Sequence, residues 1–303
     1  MINSFCEAIG VSRKGNENIT SYKKLEFYAR RELDANAPRT FGITDALTLE
    51  IVNFDSIPES ERSVEAVLFP SKPEAGSQKY RVEKEVYIER CDFSETEQKG
   101  FFGLMPGQPV ILRYGPTVKM VEIVKNKAGG IDRIRVEKIP FEKKTKVVHW
   151  ISKAHALPVE IRLYDSLLTH EDVKIASKES GKNWLEYMNP EALIIKDKNA
   201  FVWNFHKDAK VLDRFQFERV GYFAVDSDST ANKLVFNRIV ELKESPAKNV
   251  DTKPVPTAKP AQKKAEPKPQ ATAPIAPASG ATYSPNAKPE DVAALEALKA
   301  KLI

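Results

Sequence analysis

Val211 to Glu244 reads VLDRFQFERVGYFAVDSDSTANKLVFNRIVELKE, and its alternation decides the fold class. Phe215 and Phe217 alternate with Gln216 and Glu218, and Tyr222 and Phe223 follow Gly221. After the polar cluster Asp226 to Thr230, Leu234, Phe236, Ile239, Val240 and Leu242 resume the apolar pattern. Apolar and polar residues with a period near two mark half-buried strands, and a run of Asp, Ser and Thr marks the turn between them. The stretch therefore predicts a β-hairpin closing a barrel or sandwich. Phe215, Phe217, Tyr222, Phe223 and Phe236 supply its core, and Gln216 reads as an outward strand residue.

Strand signals extend upstream at close spacing. Ile43 to Val52, Arg81–Arg90, Pro109–Tyr114, Thr117–Lys125, Ile131–Lys138 and Lys146–Ser152 carry them, with Gly129-Gly130 as a hairpin turn. Leu157–Tyr164, Ala192–Lys196 and Val202–Phe205 follow. Residues 55–79 read as a Pro-, Ser- and Glu-rich connection, and Asp165 to Met188 as polar chain with a helical turn near Trp184-Leu185. Before the strands, Ile2, Phe5, Cys6 and Ile9 form a helical stripe stopped by Gly10. Ser21 caps a second helix running to Asn36, with Tyr22, Leu25, Tyr28, Ala29 and Leu33 as its buried face. Ala37-Pro38 ends that helix, because the residue before proline avoids the α region. The expected organisation is a helical connector over 1–36 and β-barrel regions over 37–144 and 145–245, with the barrels expected to share strands. A disordered Pro/Ala/Lys-rich linker over 246–289 and a short helix over 290–303 complete it. The fold class is mainly β.

Composition narrows the function. The chain has 303 residues, 29% of them charged, and a net charge of +5. From Pro246 onward there are nine Lys against five acidic residues, so residues 1–245 hold 38 basic against 37 acidic side chains. The body is nearly neutral, and any nucleic-acid contact there has to come from locally clustered side chains. No apolar run reaches the roughly 20 residues of a membrane helix, and no leader pattern opens the chain. Two scattered cysteines support neither a disulfide framework nor a zinc site. A reducing cytoplasm is the expected compartment. Phosphate-loop, dinucleotide, zincin and nucleophile-elbow motifs are missing from the sequence. Of the four histidines, His149 reads as structural, His155 as a loop residue open to a functional role, and His170 and His206 as surface residues. The composition suits a binding module.

Four stretches together resemble the glutaminyl-tRNA synthetase family: FCEAIGVSR (Phe5–Arg13), NAPRTFGITDALTLEIVNF (Asn36–Phe54), VVHWISKAHALPVEIRLYDSLL (Val147–Leu168) and FQFERVGYFAVDSDSTANKLVFNRIVELK (Phe215–Lys243). The resemblance implies two β-barrels of anticodon-binding type. The family's HIGH-like and KMSK-like signatures do not occur here, so the chain resembles the C-terminal half of such an enzyme and is expected not to activate glutamine by itself. It implies no cofactor in this chain, with ATP and Mg used in the full enzyme. The implied partners are the anticodon loop of tRNA-Gln and a catalytic domain in cis or in trans, with a further partner open for the basic tail and no membrane. The related glutamyl-tRNA synthetases, and a non-catalytic RNA-binding or scaffold protein built on the same barrels, stand as alternatives.

By the same resemblance, Arg39, Gln216 and Arg219 match positions that read anticodon bases, chiefly the middle U. Pairing of Arg39 with nearby Asp34 is the competing structural reading. Gln216 and Arg219 are three apart, so a regular strand would aim them at opposite faces; both reach RNA only if the strand ends or bulges near Glu218–Gly221. The chain departs from the family at Phe102-Gly103, where a Lys-Arg pair is common, and at Ile111, where some members carry Arg. Lys99, Phe101, Phe102 and Arg113 are the substitutes for contacts to the outer anticodon bases or the backbone.

Overall fold

Among the described residues, the ends of each of the two large sheets are joined through a single residue. The computed structural model describes residues 2–10, 20–141, 145–170 and 172–243. One seven-stranded sheet runs, in spatial order, Lys146–Val148, Val110–Leu112, Thr117–Lys125, Ile131–Ile139, Ala46–Ile51, Glu85–Glu89 and Trp150–Ser152. Its first and last strands are separated in sequence only by His149, so the sheet curls until its ends meet. The other sheet runs Arg39–Thr40, Arg214–Phe217, Gly221–Val225, Leu234–Val240, Ala156–Tyr164, Phe201–Trp203 and Gly42–Ile43, with Leu193–Lys196 added beside Ala156–Tyr164. Here only Phe41 separates the two ends. Closure removes the exposed edges that an open sheet presents.

Sheet membership runs differently from a division at residues 144 and 145. Arg39–Thr40 and Gly42–Ile43 pair within the later sheet, and Lys146–Val148 and Trp150–Ser152 within the earlier one. The first barrel is thus inserted between the opening strands of the second and the remainder of it. The joints interlock as well. Phe41, fully buried, packs in the first barrel's core beside Tyr80 and Trp150, with ring centroids 4.8 and 6.3 Å away. Trp203 reaches the same core from the second barrel.

The Val211–Glu244 stretch forms three strands. Arg214–Phe217 and Gly221–Val225 make a tight hairpin, and Leu234–Val240 continues antiparallel to it. Phe217, Phe223 and Phe236 are fully buried and Tyr222 nearly so, while Phe215 is half-buried. Gly129 takes φ +84° in the turn between Thr117–Lys125 and Ile131–Ile139, and Asn126 Oδ1 accepts from the amides of Ala128 and Gly130, both at 3.0 Å.

Several expectations need correction. Residues 55–79 hold most of a hairpin, Ser63–Val67 with Ser77–Arg81; the alternation of Val64 and Ala66 with Ser63 and Glu65 signals it, beneath a loop-like composition. Asp165 to Met188 contains a helix, Val173–Ser180, capped by the Asp172 side chain on the Ile175 amide (3.0 Å) and closed by Gly181 at φ +71°. The helix Tyr22–Asn36 forms with its Ser21 cap, but of its expected buried face only Leu33 is buried; Tyr22 and Leu25 are exposed. Only its C-terminal end packs on the barrel, where Leu33 and Ala37 meet Tyr222 and Val240. The expected linker over 246–289 and helix over 290–303 lie outside the described residues.

Candidate functional site

Pro38 lacks an amide hydrogen and its carbonyl is free to accept, which it does from the Gln216 amide at 2.9 Å. That bond starts a parallel ladder in which Arg39 stands opposite Gln216 and Thr40 opposite Phe217. The Glu218 amide continues it to the Thr40 carbonyl at 2.9 Å. Residues 177 positions apart are thereby placed side by side, and Arg39 Nε donates to Gln216 Oε1 at 3.0 Å. Gln216 is buried, not outward as its strand position suggested. Arg39 Nη2 also meets Asp34 Oδ1 at 3.3 Å, so the competing pairing is present alongside. Asp34 Oδ1 accepts a further bond from the Tyr222 hydroxyl, 3.3 Å away. Burial, then the Asp34 charge, push the Tyr222 phenol up to about 12, which keeps it a neutral donor.

The strand ends at Phe217, and the turn resolves the opposite-face problem. Arg219 takes φ +68°, in the left-handed region that costs a non-glycine residue about 1 kcal/mol or more. This break in the alternation sends Arg219 into the first barrel. Its Nη1 and Nη2 donate to Asp92 Oδ2 and Oδ1 at 2.6 and 2.7 Å. Nη1 also lies 3.2 Å from His149 Nδ1; a guanidinium only donates, so Nδ1 is the acceptor. The residue that joins the ends of the first barrel thus holds the turn of the second.

Glu218 makes the companion contact. Its buried carboxylate pairs with Arg113 and accepts from the Tyr114 hydroxyl at 3.0 Å. The Arg113 guanidinium lies 4.8 Å from the Tyr114 ring centroid. Phe102, half in solvent, has the Lys146 ammonium and the Arg219 guanidinium 5.2 and 5.4 Å from its ring centre. Lys99 is exposed. The structure therefore gathers Arg39, Gln216, Arg219, Arg113 and Phe102 along one seam between the barrels, with three arginines each facing a carboxylate. Such pairing fixes cation positions without a basic surface, consistent with the nearly neutral body.

Sequence reasoning passed over Tyr114, Glu218, Asp92 and the seam role of His149. Tyr114 had a local signal, lying between Arg113 and Gly115-Pro116; the others are defined only by partners far along the chain. Among the described residues, no group of three or more His, Cys, Asp or Glu side chains could hold a metal ion, and no helix is long and apolar enough to cross a membrane.

Thr40 adds a pH-sensitive contact behind the seam. Its Oγ1 lies 2.9 Å from Nε2 of His206, which is buried and not on the surface as its sequence context suggested. Burial lowers the His206 pKa from 6.5 to about 4. The folded state then binds fewer protons than the unfolded state between those values, so stability rises with pH across the window. The contribution is complete above pH 6.5 and is lost as pH falls towards 4. His206→Gln should flatten this part of the stability profile in urea titrations; an unchanged slope would remove His206 as its source.

Residues 37–138 and 147–226 match two family models, each described as tRNA synthetases class I (E and Q), anti-codon binding domain. The probable glutamine–tRNA ligase of Dictyostelium discoideum is 37% identical over 253 residues, which cover 82% of this chain and 31% of that protein. The glutamine–tRNA ligase of Proteus mirabilis is 37% identical over 256 residues, 82% of this chain and 44% of that protein. That of Lupinus luteus is 39% identical over 255 residues, 80% of this chain and 31% of that protein. The chain thus spans less than half the length of these relatives.

Proposed function

The chain belongs to the class I tRNA synthetases (E and Q) through its two anticodon-binding domains, and from that premise we propose that it docks the anticodon loop of tRNA-Gln in the seam between its barrels. Arg39 and Gln216 read the middle base. The observation that carries this is their juxtaposition: one hydrogen bond joins them, and no described group accepts from the side-chain carboxamide nitrogen of Gln216. A guanidinium and a carboxamide held together offer the donors and acceptor that a base edge requires, and an anticodon base is unpaired and free to turn its edge to them. The role assigned to this chain is recognition. ATP and Mg chemistry belongs, on the same reading, to a catalytic domain acting with it in the cytoplasm, in cis or in trans.

Binding of a tRNA-Gln transcript against one altered at the middle anticodon base tests the proposal. The chain should prefer the natural transcript, and Arg39→Ala or Gln216→Ala should each reduce the preference by about 1–3 kcal/mol. A side chain that touches only phosphate would instead weaken both transcripts alike and change the salt slope by about 0.7 per contact. Equal affinity of the unaltered chain for the two transcripts would overturn base-specific reading.

A further inference from the structure

Two large aromatic rings at the seam are left in solvent although their backbones and neighbours are held. Phe102 is 50% exposed and Tyr114 is 41% exposed. Tyr114 takes φ +64°, a left-handed conformation that a bulky residue adopts only where the surroundings enforce it, and such positions cluster at functional sites. Its hydroxyl is anchored on Glu218, and its ring lies offset against Phe41, 6.2 Å away at 22°. Phe102 precedes Gly103, where an added Cβ would fall 2.2 Å from the Asp92 carbonyl oxygen. The Leu104 amide donates to that same oxygen at 2.8 Å. The chain carrying Phe102 is therefore clamped to the strut that also holds Arg219.

We infer that Phe102 and Tyr114 are stacking platforms for the unpaired bases that flank the one read by Arg39 and Gln216, and that they hold those bases whatever their identity. The inference rests on the anticodon reading above and names what the outer bases meet. Three features support it. Both rings contact the turn that presents the reading residues, Tyr114 through Glu218 and Phe102 through Arg219. Neither ring serves mainly as core, since each keeps two-fifths or more of its surface in water. Each also has a cation close to its face, Arg113 for Tyr114 and Lys146 for Phe102. A guanidinium plane itself stacks on bases, and a lysine ammonium can swing from a ring to a phosphate. Every base has a π-face, so stacking gives affinity without selecting identity.

The test uses tRNA-Gln transcripts carrying 2-aminopurine at the first or third anticodon position, together with unlabelled transcripts varied at those positions. The unaltered chain should quench the probe and bind the outer-position variants within about threefold of one another. Phe102→Ala and Tyr114→Ala should each lose about tenfold in affinity, the scale of one base stack, and lose quenching at one position. Phe102→Trp and Tyr114→Phe should keep both, which separates ring stacking from loss of the Glu218 bond. Alanine variants that bind within twofold of the parent with quenching intact would overturn the inference, as would outer-base preferences above tenfold. Failure of the Arg39–Gln216 reading shows on a different arm, as lost middle-base preference in the unaltered chain.

Discussion

Arg219→Ala is expected to destabilise the folded chain by about 3–5 kcal/mol, the scale for removing one partner of a buried ion pair. The substitution strands Asp92, whose side chain is only 6% exposed, with two accepting oxygens emptied. Asp92→Ala should cost less, because the arginine it strands is 26% exposed and partly solvated. The double variant should be more stable than the sum of the two losses predicts, since it leaves no unpaired charge. Urea denaturation of the three variants measures this, and a loss below 1 kcal/mol for Arg219→Ala would show that the clamp does not hold the barrels. On the proposed anticodon reading, RNA binding should fall with it through displacement of the turn, since two arms of the guanidinium are committed to Asp92.

Phe217→Ala should be comparably damaging, by about 3–5 kcal/mol. The ring is fully buried, stacks on Phe223 at 4.4 Å and meets Phe236 at 5.4 Å. It also lies so close to the Gly42 backbone that a Cβ there would sit 2.3 Å from it. Gly42→Ala alone should cost about 1–3 kcal/mol by overpacking. In the Phe217→Ala background that cost should shrink, because the added methyl then enters a cavity. A double-mutant cycle in urea reads the coupling; additivity would mean the two residues are not in conflict. Phe217 stands between Gln216 and Glu218, so on the proposed reading its loss should also blunt discrimination at the middle base.

The separate behaviour of neighbouring residues explains how much of this was legible beforehand. The strand content, the turn after Asp226 and the cap at Ser21 follow from local period and turn chemistry, and the structure reproduces them, while the first arm of the expected Val211–Glu244 hairpin is itself folded into two strands. The hairpin within 55–81 and the helix Val173–Ser180 carried equally local signals, obscured by polar composition. The helix Tyr22–Asn36 shows the converse: its stripe is real in sequence, but burial depends on what lies opposite, and only Leu33 finds a partner. His206 and Gln216 were misjudged for the same reason, since burial of a polar side chain depends on a distant acceptor or donor that no local pattern encodes.

The sequence by itself pointed to the family, through four long stretches in order, and through that resemblance to Arg39, Gln216 and Arg219 as candidates. It also determined that the body is nearly neutral, so that recognition has to be local. Tertiary structure alone decided that Arg39 and Gln216 touch, that Arg219 turns left-handed to grip Asp92, and that Tyr114 and Phe102 stay in water beside them. The reason is physical. A β-strand encodes which of its faces is apolar, through side chains two residues apart, but the strands that flank Phe41 and His149 pair with strands far along the chain, Arg39 with Gln216 and Ile43 with Phe201, Lys146 with Val110 and Trp150 with Ile88. Which side chains meet across such a seam is set by register, and register comes from the packing of both barrels together.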